Sequence, residues 1–366
     1  MKFVKLLVLS AIIMVKTSSL SISLNNNQHI PVFLAADDNY APFVATTMAS
    51  ILKNTKSHVD FYVLSDGISD KNKAKIANER KWFRNFSLSF VDLNQDKLQE
   101  IFKERGHISR TAYARLFIPE LDVSKNIKKA IYFDDDMIIT KDINLLYSED
   151  LGNKIVGTVD DNYDSVRYFN HNKKLNNAFF KEFNIPKEHV YFNSGMLLID
   201  MEKWRKERIT NKLVEFAQNN ISNKYLTRQD QDVLNVVLNM KSANLNSAYN
   251  TTLHNLKYET DKKLLDKFLK KAVVIHYTWN TKPWFDKNAL FANEFWQVVP
   301  YTDFADEIKQ IHDNYQRDMK IIKNIDKNSK KIGKSINKRM NIVYILLGIL
   351  IGLNAAVLVV LVKRRK

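Results

Sequence analysis

Lys129-Ala-Ile-Tyr-Phe-Asp-Asp-Asp-Met-Ile-Ile-Thr140 sets two apolar runs, Ala130–Phe133 and Met137–Ile139, on either side of three consecutive aspartates. A short run of Ile, Tyr and Phe bounded by charge reads as a buried strand. The triplet then stands at a sheet edge, where three like charges repel unless a cation lies among them. Carboxylate oxygens are hard ligands and suit a divalent ion such as Mg2+ or Mn2+. A solvated acidic turn is the plainer alternative, and this stretch alone does not separate the two.

Upstream, Ile30–Ala36 (IPVFLAA) is a first buried strand running into Asp37-Asp38-Asn39-Tyr40, and Ala41–Leu52 carries apolar residues at helical spacing. Val59–Leu64 and Phe86–Val91 are further strands, with a charged amphipathic helix over Ser69–Phe83 between them. Strand and helix in alternation predict an α/β layered architecture with a mostly parallel central sheet. Such sheets bind ligands beyond the carboxyl ends of their strands. Asp37, Asn39 and the aspartate triplet all fall at such ends. Neither G-x-G-x-x-G nor G-x-x-x-x-G-K-[ST] occurs, which argues against a dinucleotide fingerprint or a P-loop. A nucleotide would be held instead by strand-end groups on its ribose or base. Asp37 and Asn39 suit that role, and equally suit an ordinary turn.

Downstream, His107–Ile118 reads as a loop entering a helix, with Arg110 and Arg115 available to phosphate. Tyr191–Asp200 is a strand entered through a polar Asn193-Ser-Gly195 turn, and Glu202–Ala217 is a helix with Trp204 in the core. Arg228-Gln-Asp-Gln-Asp232 opens a helix that the acid and amide groups can simply cap. Val273–Tyr277 is a strand ending in His276, and Thr278–Trp284 follows as a loop holding Lys282. A lone histidine is more often a hydrogen-bonded structural residue than a ligand.

The ends of the chain carry a different signal. Its 366 residues, 45% hydrophobic, can bury a large core, and no internal period is present. The absence of cysteine excludes disulfides, thiolate catalysis and cysteine-bound zinc. Much of the +16 net charge lies between Arg317 and Arg339, ahead of Ile342–Val362 (IVYILLGILIGLNAAVLVVLV), which has no charged residue. That length predicts one membrane-spanning helix with a basic tail over 363–366. The basic stretch is therefore assigned to a helical juxtamembrane segment at 301–341 that suits anionic headgroups, not to nucleic acid. Residues 1–24, a charged start before apolar Leu6–Val15, read as a signal peptide or N-terminal anchor. A cleaved signal puts the body in a lumen or outside the cell. The excess of Lys and Arg before the span favours a cytosolic body, as at a bacterial inner membrane. Asn85-Phe-Ser, Asn220-Ile-Ser and Asn250-Thr-Thr are acceptor sequences for glycosylation if the body is lumenal.

Taken together, Ala35–Tyr40, His107–Ser109 with Thr111–Leu116, Tyr132–Asp136, Tyr191–Gly195, Gln229–Asp232 and His276-Tyr277 with Lys282–Trp284 resemble glycosyltransferase family 8. They occur in that family's order across about residues 30–300, and the likeness is to its bacterial lipooligosaccharide α-galactosyltransferase and glucosyltransferase branch. The resemblance implies a GT-A catalytic domain over 25–300. It implies a UDP-hexose donor, Mn2+ with Mg2+ as the alternative, and retention at the anomeric carbon. It assigns Asp134, Asp136 and His276 to the metal, and Asp37 and Asn39 to uridine. Asp135, Arg115, Asp160, Asn193 and Lys282 match donor-binding positions. Asp230 and Gln231 match positions facing the donor sugar, one as a candidate nucleophile and the other as a stabilising group. The acceptor would be a glycan or glycolipid at the membrane. A catalytically inactive sugar-binding protein of the same fold is the rival reading, which an intact metal triad disfavours. One departure falls between His276 and Lys282, where bulky Trp279 stands among residues that are small in the family. Trp279 could stack on an acceptor sugar.

Overall fold

The computed structural model describes residues 29–93, 110–161, 173–220, 223–253, 261–279 and 282–363. The expected leader at 1–24 and the motif residues His107–Ser109 lie outside these. Among the described residues ten strands form two sheets. Seven of them, ordered β3-β2-β1-β4-β7-β6-β8, make the central sheet. They are β1 (His29–Asp37), β2 (His58–Asp66), β3 (Phe86–Asp92), β4 (Lys129–Phe133), β6 (Val156–Asp160), β7 (Phe192–Asp200) and β8 (Ser242–Asn244). A small second sheet joins β5 (Met137–Ile139), β10 (Val274–His276) and β9 (Thr251–Thr252), in that order.

The mostly parallel sheet expected from the sequence is present. β1 pairs in parallel with β2 and β4, β2 with β3, and β6 with β8, while β7 runs antiparallel between β4 and β6. β1 is apolar nearly throughout because helices and loops cover both its faces, as parallel strands require. On one face, Val32, Leu34 and Ile131 pack with Val44, Met48 and Ile51 of the helix Ala41–Asn54 and with the small sheet. On the other, Phe33, Tyr132, Leu197 and Ile199 pack with Trp204, Leu213 and Leu234.

Three expectations need correction. The helix expected over Ser69–Phe83 stops at Ala77 and continues as a single 3-10 turn over Asn78–Lys81. The helix over Glu202–Ala217 is two helices, Met201–Lys206 and Ile209–Asn219, broken where Arg208 takes a left-handed φ of 52°. Asn193-Ser-Gly195 is not a turn entering a strand but lies inside β7. Its polar side chains face the site, so local polarity imitates a loop.

The helix Ala305–Lys363 runs for 59 residues, with buried Ile308 and His312 seating its start on the body. No helix among the described residues is long and apolar enough to cross a membrane. The side chains of 342–362 fall outside those residues, so the structure does not support the expected span, which stands on the sequence alone.

Candidate active site

β4 ends at Phe133, and the chain crosses from the central sheet to the small one through Asp134-Asp135-Asp136. The helix Ala41–Asn54 fixes that crossing. Thr47 Oγ1 donates to the carbonyls of Asp135 at 3.0 Å and Met137 at 2.9 Å, and Ser50 Oγ accepts from Ile139 N at 2.9 Å. Sheet register supplies the partners. In the antiparallel β5–β10 pair His276 stands opposite Met137, and Tyr277 N donates to the Asp136 carbonyl at 3.0 Å. In the β4–β7 pair Phe133 stands opposite Met196, so Asp134 N reaches the Gly195 carbonyl at 2.8 Å. Residues 60 and 140 positions downstream of the triplet are thus delivered to it by two sheets.

Asp134, Asp136 and His276 present their ligand atoms within 4.8 Å of one another. His276 Nε2 lies 3.0 Å from Asp136 Oδ1 and 3.9 Å from Asp134 Oδ2. Asp136 Oδ1 is buried and receives no hydrogen bond. His276 Nδ1 is engaged by Asn250 Oδ1 at 3.0 Å, so in the neutral ring Nε2 and Asp136 Oδ1 face each other lone pair to lone pair. A cation between them relieves that opposition. Gly195 keeps the space open: a Cβ there would stand 2.5 Å from His276 Cε1 and 2.7 Å from Asp134 Oδ2. Two carboxylates, one imidazole and a cradle without a side chain fit a divalent metal.

Cations surround the triplet. Arg115 NH2 pairs with Asp134 Oδ1 at 2.8 Å, its Nε lies 3.2 Å from Asp230 Oδ2, and its NH1 donates to the Ser194 carbonyl at 2.7 Å. Burial works against the Arg115 charge, but Asp134, Tyr132 and Asp230 more than restore it and its pKa is raised. Lys282 Nζ pairs with Asp136 Oδ2. Burial would raise the Asp136 carboxyl, yet Lys282 holds it below the usual carboxylate range. Asp135, by contrast, is pushed well above that range by burial and by the two flanking aspartates. Asp135 and Asp136 are thus shifted in opposite directions, and the two outer aspartates are the ones aimed at His276.

A cavity of about 380 Å³ opens over this cluster. It brings together Arg115, Asp134, Asp136, Asn193, Asp230, Gln231 and His276 of the residues singled out from the sequence. Asp37, Asn39, Asp135, Asp160 and Lys282 do not line it. Asp37 ends β1 beside the triplet and accepts from Tyr40 N at 3.1 Å, and Asn39 is exposed. Asp160 ends β6, and its neighbour Asp161 is the one that faces the cavity. Asp161 Oδ2 accepts from Gln231 Nε2 at 3.0 Å and pairs with Arg228 NH1 at 2.8 Å. Gln231 Oε1 accepts from Ser194 N at 3.1 Å and Asn193 Nδ2 at 3.3 Å, so its amide has one orientation. Trp279 stands 66% exposed at the cavity wall with a left-handed φ of 57°.

Sequence reasoning missed Gly195, Asn250, Asp161 and Arg228 as site residues. Asn250 was marked only as a glycosylation acceptor, but it is 3% exposed and both ends of its amide are bonded, so the folded protein does not offer it. Its spacing from His276 carried no signal without the β9–β10 pairing.

The sequence profile of Glycosyl transferase family 8 matches residues 31–288, which contain the whole cluster. The chain belongs to glycosyltransferase family 8. It is 30% identical over 276 residues to General stress protein A of Bacillus subtilis (strain 168), across 73% of this chain and 92% of that one. It is 28% identical over 315 residues to the lipopolysaccharide 1,2-glucosyltransferase of Escherichia coli (strain K12), across 83% and 86%. Among solved structures, the galactosyltransferase LgtC in complex with donor and acceptor sugar analogs superposes with a TM-score of 0.61 at 27% identity. That match covers 75% of this chain and 96% of that one. The protein is a glycosyltransferase with a GT-A-like α/β fold.

Proposed function

We propose that this family 8 member is a metal-dependent, retaining hexosyltransferase that moves galactose or glucose from a UDP-sugar to a glycan or glycolipid acceptor. The observation that carries this reading is the Asp134–Asp136–His276 cluster, with its ligand atoms within 4.8 Å of one another and a buried Asp136 oxygen 3.0 Å from His276 Nε2. Mixed carboxylate and imidazole donors favour Mn2+ over Mg2+, which prefers an all-oxygen shell. Bound there, the cation would supply Lewis-acid neutralisation of charge developing on the diphosphate leaving group. Asp37 and Asn39, at the end of β1, would take the uridine, with Asp135 and Asp160 as further donor contacts. Arg115 and Lys282 bring fixed positive charge to the side where the diphosphate would lie. Asn193, Asp230 and Gln231 form the cavity wall that the donor sugar would rest on.

Both groups assigned to the sugar face are already engaged. Asp230 Oδ2 is held by Arg115 Nε and by Ser194 Oγ at 3.2 Å, and the Gln231 carbonyl is held by β7. They are arranged to stabilise positive charge at the anomeric carbon, which suits front-face attack better than double displacement. Burial pushes the Asp230 carboxyl up to about 6 against the pull of Arg115. A carboxyl raised in this way loses its charge as pH falls through that value. Transfer rates followed from roughly pH 5 to 8 should therefore show an acid limb with a midpoint near 6, absent in Asp230→Asn. A wild-type rate that stays flat to pH 5 would contradict a role for the ionised form.

The membrane setting is part of the proposal and rests on the hydropathy of 342–362 and the basic segment before it. A single span would hold the active site near membrane-borne acceptors. The body would face a lumen or the exterior, with the cytosolic face of a bacterial inner membrane as the alternative. To test the activity, the full-length chain is incubated with UDP-galactose or UDP-glucose and Mn2+, and UDP release is followed. Release that disappears with chelator is expected. No release from either donor would overturn the hexosyltransferase reading.

A further inference from the structure

A histidine serves as a metal ligand only through a nitrogen whose lone pair is free, so its tautomer decides whether it can bind. For His276 that tautomer can be read from a chain of amides. The backbone N–H of Gly195 can only donate, and it donates to Asn193 Oδ1 at 3.0 Å. This fixes which end of the Asn193 amide is oxygen. Asn250 meets that same oxygen at 2.8 Å and must do so through Nδ2. Its own Oδ1 is therefore the atom 3.0 Å from His276 Nδ1. An amide oxygen only accepts, so Nδ1 carries a proton, and in the neutral ring Nε2 turns its lone pair toward Asp136 and Asp134. The other tautomer would oppose two lone pairs at Asn250 and put a proton where the cation belongs.

We propose that Asn250 is a positioning residue that locks His276 in the Nδ1–H tautomer and thereby keeps Nε2 open as a metal ligand. The proposal rests on the functional reading above only in taking His276 for a ligand. Several features make the lock rigid. Asn250 is 3% exposed, so water does not readily replace it. It directly precedes β9, whose Thr252 is the register partner of His276 in β10. Its anchor, Asn193, lies in β7 and donates Nδ2 to Gln231 Oε1 at 3.3 Å, which ties the metal side of the cavity to its sugar side.

The test uses the full-length chain with 15N-labelled histidine and no metal, the His276 signals being those lost in His276→Gln. Wild type should show the Nδ1–H form of neutral His276. Asn250→Asp keeps an acceptor at Nδ1 and should show the same form, whereas Asn250→Ala should pass largely to Nε2–H. Mn2+ binding, followed by the electron-spin signal of the free ion, should weaken about 10–100-fold in Asn250→Ala. It should weaken less in Asn250→Asp than in Asn250→Ala, since a carboxylate still orients the imidazole although it loses the donor to Asn193 Oδ1. An Nε2–H signal in wild type overturns the proposal, as does wild-type Mn2+ affinity in folded Asn250→Ala. Asn250→Asp binding as poorly as the alanine variant overturns it too. If Asn250→Ala does not fold, the wild-type tautomer and Asn250→Asp still decide. Neither readout involves turnover, so failure of the hexosyltransferase reading would be seen separately as absent UDP release.

Discussion

Asp136→Asn should lower the rate of UDP release by on the order of a thousandfold while leaving the protein folded. The several kcal/mol of charge stabilisation that a Lewis-acidic ion contributes correspond to about that factor, at roughly 1.4 kcal/mol for each tenfold. Asn keeps the shape of Asp136 and removes the negative charge that pairs with Lys282 and faces His276. Asp136→Ala is the harsher change, because it leaves the Lys282 ammonium mostly buried without its partner. Breaking one side of a buried pair costs about 3–5 kcal/mol, so Asp136→Ala should also lower the midpoint of thermal unfolding. Comparing unfolding and UDP release for the two variants separates metal chemistry from stability. A variant retaining more than about a tenth of wild-type rate would remove Asp136 from the account.

The second large effect is expected at a residue that bears no functional group. Gly195→Ala puts a methyl carbon 2.5 Å from His276 Cε1, 2.7 Å from Asp134 Oδ2 and 3.0 Å from Met137 Cε. Contacts that short force movement, and the neighbours have little freedom to give way. His276 is pinned through Asn250, Asp134 through Arg115 and the Tyr132 hydroxyl, and Gly195 itself through its pairing with Asp134 N. Overpacking a tight interior costs about 1–3 kcal/mol. A displacement of about 1 Å in a reacting site can cost a hundredfold in rate. Gly195→Ala should therefore bind Mn2+ at least tenfold more weakly and release UDP at least a hundredfold more slowly, with far-ultraviolet circular dichroism unchanged. Mn2+ affinity equal to wild type would mean that the cradle is not needed.

Much of the fold could be read from short-range pattern. A strand such as Ile30–Ala36 announces itself because a parallel strand buried on both faces is apolar nearly throughout. The aspartate triplet, placed after another strand, fell where such sheets bind ligands. What stayed hidden was set by register between distant segments. Asn193-Ser-Gly195 resembles a turn because a strand that lines a polar cavity breaks the apolar pattern. Asn250 resembles a glycosylation acceptor because Asn-x-Thr is legible locally, whereas its bond to His276 exists only once β9 lies beside β10. Asp161 was passed over for Asp160 because neighbouring residues on a strand end point to opposite sides, and the sequence does not say which side faces the cavity. A helical segment over 301–341 and a separate span over 342–362 were expected, and the structure has one continuous helix, Ala305–Lys363.

The central claim is that Asp134, Asp136 and His276 join a metal ion to a nucleotide diphosphate. Calorimetric titration of UDP into the full-length chain, with and without Mn2+, tests it most directly. The account predicts binding that is at least tenfold tighter with Mn2+ in wild type and indifferent to Mn2+ in Asp136→Asn. Equal affinity for UDP with and without Mn2+ in the wild-type protein would contradict it.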